Sequence, residues 1–157
     1  MQPIQHLMTI TAIAFGLCGP AMAAVSDPEI IIYRFPGVRD DGGSSGVGVA
    51  TAFHCTNFSG VLENIRFVFR DQDGSLLANF PTSMPHLTSV TITTHGVNAY
   101  GGQVAVGTGQ VTQGTTAIAA TSVNMICTAM TIDASTFVPV GVALRGIRFS
   151  PAPGSQE

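Results

Sequence analysis

The sequence predicts an all-β protein: an antiparallel β-sandwich, immunoglobulin-like in layout, of about eight or nine strands. Three observations predict it. Short segments of strict apolar–polar alternation recur, separated by turn residues. Eighteen Gly and nine Pro, with many Thr and Val, favour strands and turns over helices. Two cysteines, Cys55 and Cys127, fall on the apolar faces of two such segments.

The chain opens on an apolar leader. Leu7–Leu17 is too short to span a bilayer, Gly19-Pro20 breaks it, and Ala21-Met22-Ala23 supplies the small residues a signal peptidase requires. Residues 1–23 therefore read as a signal peptide, although Met1–His6 carries no Lys or Arg. Cys18 lies inside this leader, and bulky Leu17 precedes it, which argues against lipid attachment. The remainder divides into a single β-sandwich domain, 24–150, and an expected flexible C-terminal tail, 151–157. The expected location is secreted or periplasmic.

The elements follow in order. Glu29–Phe35 reads as a first strand ended by Pro36-Gly37, and Val38–Gly46 as a polar glycine-rich loop. Val47–Cys55 alternates, with Val47, Val49, Thr51, Phe53 and Cys55 on one face. Leu62–Arg70 points Ile65, Phe67 and Phe69 inward. Asp71-Gln72-Asp73-Gly74 makes a hairpin turn, and Ser75–Phe80 begins the return. Pro81 and Pro85 bracket a loop. Leu87–Thr94 is a strand with Val90 and Ile92 inward, and Gly96–Gly102 is irregular. Gln103–Val111 and Thr115–Thr121 read as strands separated at Gln113-Gly114. Val123–Thr131 places Val123, Met125, Cys127 and Ala129 on one face. In Phe137–Phe149 the inward set changes phase, from Val138, Val140, Val142 and Leu144 to Ile147 and Phe149, which predicts a β-bulge at Arg145-Gly146.

Cys55 and Cys127 are the pair that decides most. A redox pair sits close in sequence, as in C-x-x-C, and a zinc site needs further ligands. Their phase and their separation of 72 positions predict a structural disulfide joining the two sheets. An early and a late strand bridged in this way resemble the immunoglobulin-like sandwich. The chain has no Trp, and Met125 stands where a tyrosine corner would be, so the resemblance is one of architecture.

A further resemblance rests on two stretches. One runs from His54-Cys55-Thr56-Asn57 to Arg70-Asp71-Gln72-Asp73-Gly74-Ser75-Leu76-Leu77-Ala78. The other runs from Ala119-Ala120-Thr121-Ser122 to Cys127-Thr128-Ala129-Met130. Together they resemble a group of small secreted bacterial proteins with the pattern C-x-N, an alternating strand, D-x-D-G and a late C-T-A-M. The resemblance implies an exported bacterial sandwich. The group has no assigned activity, so no functional residue follows from it.

Motifs that could carry chemistry are few. Gly42-Gly43-Ser44-Ser45-Gly46 matches G-x-S-x-G, with His54, His86 or His95 and Asp133 as conceivable partners. A nucleophile elbow needs a strand before the serine and a helix after it, and neither is predicted. Asp71-x-Asp73-Gly74 resembles part of a calcium loop, but Phe69 and Phe80 occupy its first and last ligand positions. A looser calcium site would add Asp40 and Asp41. A blue-copper site needs a histidine soon after the late cysteine, and none follows His95. Gly107-Thr108-Gly109 is too short for a dinucleotide fingerprint. Asn57-Phe58-Ser59 is a glycosylation sequon. Thr91-Ile92-Thr93 is ordinary strand composition.

Charge excludes two partner classes. The six cationic side chains are all Arg and are scattered, so neither a nucleic-acid footprint nor a polybasic membrane patch is present. No apolar run after the leader would form a membrane span. The sequence thus predicts no catalytic residue, no metal ligand and no cofactor. It predicts a non-catalytic exported binding or structural module, acting on a protein or glycan at the cell surface through loops 38–46, 81–85 or 96–102. The alternatives are a pilin-like fibre subunit and a small serine hydrolase using Ser44.

Overall fold

The chain is described by a computed structural model covering residues 29–149. The expected leader 1–23, Cys18 and the tail 151–157 lie outside the described residues. Ten strands follow one another: β1 (Ile30–Asp40), β2 (Val49–Asn57), β3 (Glu63–Arg70), β4 (Leu76–Met84), β5 (Ser89–Thr93), β6 (Val104–Ala105), β7 (Val111–Ala120), β8 (Met125–Asp133), β9 (Gly141–Leu144) and β10 (Ile147–Arg148). They form two five-stranded sheets, ordered β10-β1-β7-β3-β4 and β6-β5-β2-β8-β9. Every pairing is antiparallel except the short β5–β6 contact. The all-β sandwich is as expected, and two-residue strands bring its count to ten.

Alternation builds the core. Ile65, Phe67 and Phe69 of β3 and Ile118 and Ala120 of β7 point from one sheet. Phe53 and Cys55 of β2, Ile92 of β5, and Met125, Cys127 and Ala129 of β8 meet them from the other. Phe53 is the hub. The rings of Phe35, Phe67 and Phe69 surround it at 5.6, 6.2 and 5.6 Å, all edge to face, the favoured aromatic geometry. The other face of β2 is also buried. Ala50 and Ala52 pack with Ile132, Val97 and Ala134 in a second cluster, against which Tyr100 and Met130 lean.

The expected pairing of Cys55 and Cys127 is present, but not across the sheets. The two residues are directly opposite on neighbouring strands, β2 and β8, with Cα atoms 4.2 Å apart. In the same register the Phe58 amide donates to the Asn124 carbonyl and the Ala134 amide to the Gly48 carbonyl. Ladder bonds therefore fall on even-numbered β2 positions, and Cys55–Cys127 sits between them. That is the non-hydrogen-bonded site, where antiparallel side chains approach most closely. Alternation placed both cysteines on an inner face and carried no information about which sheet each strand joins.

Proline and glycine misdirected three boundaries. Pro36-Gly37 does not end β1, which continues to Asp40 through irregular register against β7. β10 pairs only with Tyr33 and Arg34, so the outer edge at Pro36 has no ladder bond to lose. Pro81 does not open a loop. It lies within β4, an edge strand, where a missing N–H is tolerated. Gln113-Gly114 does not divide two strands; Val111–Ala120 is continuous, and Gly114 fits because a Cβ there would lie 2.7 Å from the Arg70 carbonyl oxygen. Within Gln103–Val111 only Val104 and Ala105 form a strand of their own, β6, and Val111 opens β7.

The C-terminal expectation also changes. Val138, Val140 and Val142 are not core residues; they are 69, 64 and 71% exposed, and Phe137 is 81% exposed. Ile147, Phe149 and Val47 are exposed as well, whereas Leu144 packs against the core. The phase change at Arg145-Gly146 is a change of sheet rather than a bulge: β9 pairs with β8, β10 with β1. Gly146 makes the crossing directly over the Phe35 ring, where a Cβ has no room.

Asn57, the N of the C-x-N pattern, is fully buried. Its Nδ2 donates to the Val61 and Met84 carbonyls at 2.8 and 2.7 Å, and its Oδ1 accepts from the Ser59 amide at 2.8 Å. In the fold this residue ties the turn after β2 to the end of β4, and the sequon is occupied by structure. Asp71–Gly74 forms the expected hairpin turn, with the Gly74 amide on the Asp71 carbonyl and Gly74 at φ 84°.

Candidate functional site

Two of the three expected recognition loops meet at one end of the sandwich. β1 ends at Asp40, and the chain turns back through residues 41–48 into β2. The Gly42 amide donates to Asp40 Oδ1 at 2.7 Å and the Gly43 amide to Asp41 Oδ1 at 3.1 Å, the local turns that Asp favours. Gly48 has φ 80°, and a Cβ at that position would run into the Asp41 carboxylate. The loop then docks on the segment after β5: the Gly46 amide donates to the Gly96 carbonyl at 2.7 Å. That segment is fixed in turn to the end of β8. The Asn98 amide donates to the Ala134 carbonyl and Asn98 Nδ2 to the Ser135 carbonyl.

A buried histidine pins this end together. His95 Nδ1 lies 2.8 Å from Asp40 Oδ2, and Nε2 lies 3.1 Å from the Val47 carbonyl oxygen. A carbonyl only accepts, so Nε2 carries a proton. Nδ1 faces the Asp40 carboxyl group, so the ring bridges the end of β1 and the 41–48 loop. Asp40 and His95 are both buried. Asp41 is exposed. The Val49 and Gly43 amides, with the charge of His95, hold its carboxyl below the ordinary carboxylate range.

The facing atoms of Asp40, Asp41 and His95 lie within 4.8 Å of one another, a spacing that could hold a cation. Each carboxyl group already has a donor, however. Asp40 receives the Gly42 amide and His95, and Asp41 receives the Gly43 amide. Protons and amides balance the cluster, and its evident work is to hold the 41–48 loop.

The same geometry bears on Ser44. His95 is paired with Asp40, not with Asp133, and its Nε2 is taken by the Val47 carbonyl. No ring nitrogen remains to accept a proton from a serine. His54 bonds Thr91 Oγ1 at 3.1 Å, His86 accepts from the Gly60 amide, and Asp133 caps Ser135. The conceivable partners of Ser44 are thus dispersed among separate structural contacts. The sulfurs of Cys55 and Cys127 are bonded to each other, which leaves no thiolate for copper.

Beside the pinned loop lies an apolar cleft of about 550 Å³. Val47, Gly48 and Val49 form one side, Thr131, Ile132 and Asp133 line it along β8, and Gly141 and Val142 close the other. Its volume falls within the range of small-ligand and side-chain pockets. By register, Val49, Thr131 and Val142 share the sheet face that carries Phe53 and Cys55. Val142 and Leu144 share that face too, yet Leu144 is packed and Val142 is open. A smaller polar hollow of about 230 Å³ lies near the third expected loop, lined by Arg66, Pro81 and Ser83 among others. There the Arg66 guanidinium is already matched by Glu29, with Nε 2.5 Å from Oε2.

No protein-family model, curated protein or solved structure matches this chain. Sequence reasoning named the 38–46 and 96–102 loops, Asp40, Asp41 and His95, but not their meeting. Nothing local signals a contact across 55 positions, and the Val47 carbonyl has no sequence signature. The exposure of Phe137–Val142 was missed because an alternating apolar segment reads as buried whether or not a second layer covers it.

Proposed function

We propose that the protein is an exported, non-catalytic binding module, and that it works by protein contact at the corner formed by the 41–48 loop and β9. The observation that carries this reading is the exposure of Phe137, Val138, Val140 and Val142 beside the apolar cleft. An exposed apolar strip of this extent marks an interaction surface in a monomeric fold. The His95–Asp40 pin supports it, because a loop held before binding loses less entropy when a partner arrives. The apolar lining favours a protein side chain over a glycan. The disulfide supports an oxidising compartment, and among the described residues no helix is long and apolar enough to cross a membrane. Kinship with the small secreted bacterial proteins of the C-x-N and C-T-A-M pattern belongs to the same proposal.

The test is selection of a random peptide library on the disulfide-bonded protein, repeated with Val142→Asp and Val47→Asp. Apolar peptides enriched by the parent and lost by both variants support the corner. Enrichment indifferent to both variants places recognition elsewhere, and no enrichment removes the reading. A fluorophosphonate probe addresses the alternative chemistry. The expected result is no labelling; labelling abolished by Ser44→Ala would establish a serine nucleophile instead.

A further inference from the structure

We infer that the partner at this corner is a second copy of the chain, joined edge to edge through β9 about a two-fold axis; the inference rests on reading the corner as an interaction surface. β9 is the outer strand of its sheet. The Asp133 amide donates to the Val140 carbonyl at 3.2 Å, so Val140, and by alternation Val142 and Leu144, turn their backbone groups toward β8. Gly141 and Ala143 turn theirs outward.

An antiparallel copy placed with Val142 opposite Val142 brings each Gly141 amide to an Ala143 carbonyl and each Ala143 amide to a Gly141 carbonyl. In that register Val140 faces Leu144 of the other copy. Every facing pair is apolar, and the strand is self-complementary, as a two-fold interface requires.

The edge also lacks protection. Natural sheets guard edges with charge, proline or very short strands. β4 carries Pro81, and β6 and β10 are two residues long. From Phe137 to Leu144 there is no charged residue, and the one proline, Pro139, precedes the paired segment. The ladder is short. Val140 and Val142, 64 and 71% exposed, lie within it, and Phe137 and Val138 flank it. Such a pair buries less than a standard interface of roughly 1,600 Å², which describes a weak, concentration-dependent dimer. The two-fold uses the free edge of both copies, so association stops at two and no fibre grows.

The experiment is sedimentation velocity of the purified, disulfide-bonded protein over a concentration series. Val142→Lys sets like charges opposite each other at an exposed position. Ala143→Pro removes one outward amide and keeps the apolar surface. The parent is expected to shift from monomer to dimer with concentration, and each variant to raise the dissociation constant by roughly tenfold or more. Circular dichroism and intact mass confirm that both variants fold and keep the disulfide. A parent that stays monomeric overturns the inference, as does a dimer indifferent to both variants or assembly beyond two. If the parent is monomeric while peptide selection still depends on Val142, the self-pairing fails and the binding reading stands. If both are blank, both fail.

Discussion

Replacing Cys55 and Cys127 together by alanine should lower stability without changing the fold. The bridge closes a loop of 72 positions, for which the loss of loop-closure entropy in the unfolded chain predicts about 4 kcal/mol as an upper figure. The folded state is held independently. β2 and β8 remain paired from Val49–Asp133 to Asn57–Met125 without the bridge. Phe53, two residues along β2 on the same face, still packs against three aromatic rings contributed by the other sheet. Urea denaturation of parent and double variant provides the assay, with near-ultraviolet circular dichroism as the check on tertiary packing. The expected result is a native spectrum, an unchanged denaturant slope and a stability lower by about 3–4 kcal/mol. A bridge between sheets would behave differently, since its loss would release the packing of one layer on the other. Collapse of the near-ultraviolet signal in the double variant would refute the within-sheet account.

Three further outcomes follow from single side chains. Burial of His54 holds its pKa below the ordinary histidine value of 6.5. The unfolded chain therefore takes up a proton that the folded chain resists, and this contribution to stability is complete above about pH 6.5 and declines as pH falls below it. His54→Gln should lose less stability than the parent between about pH 7.5 and 5.5, measured by urea midpoints; equal losses would remove His54 as a cause. Thr116 is buried and its hydroxyl has no partner among the described residues, so Thr116→Val should stabilise by about 1 kcal/mol in thermal melts; destabilisation would show that the hydroxyl is satisfied. His95→Ala strips a buried carboxylate of its partner and unpins the loop, which should cost about 3 kcal/mol. It should also speed hydrogen exchange at the Gly46 amide, whereas His86→Ala on the exposed turn should leave that amide unchanged.

Strands with clean alternation and one buried face were legible as sequence. Ile65, Phe67 and Phe69, and Met125, Cys127 and Ala129, are buried as their phase predicts. What period-two reading does not supply is partnership. It put Cys55 and Cys127 on inner faces yet could not say that their strands are neighbours. It treated Pro36 and Pro81 as breaks because it cannot see which strand edges are unpaired. It assigned Val140 and Val142 to the core because alternation reports an apolar face and not the layer that covers it. The site was legible only as parts. Asp40 and His95 are brought together by the pairing of distant strands, and the cleft between Val47 and Val142 exists only once β2, β8 and β9 lie side by side.

Backbone amide chemical shifts recorded by NMR across a protein concentration series report where the molecule makes contact. The account predicts concentration-dependent shifts confined to residues 137–144 and 47–49, with the outward amides of Gly141 and Ala143 among the largest. Shifts that are absent from this corner, or that gather instead along β4 around Pro81, would contradict it.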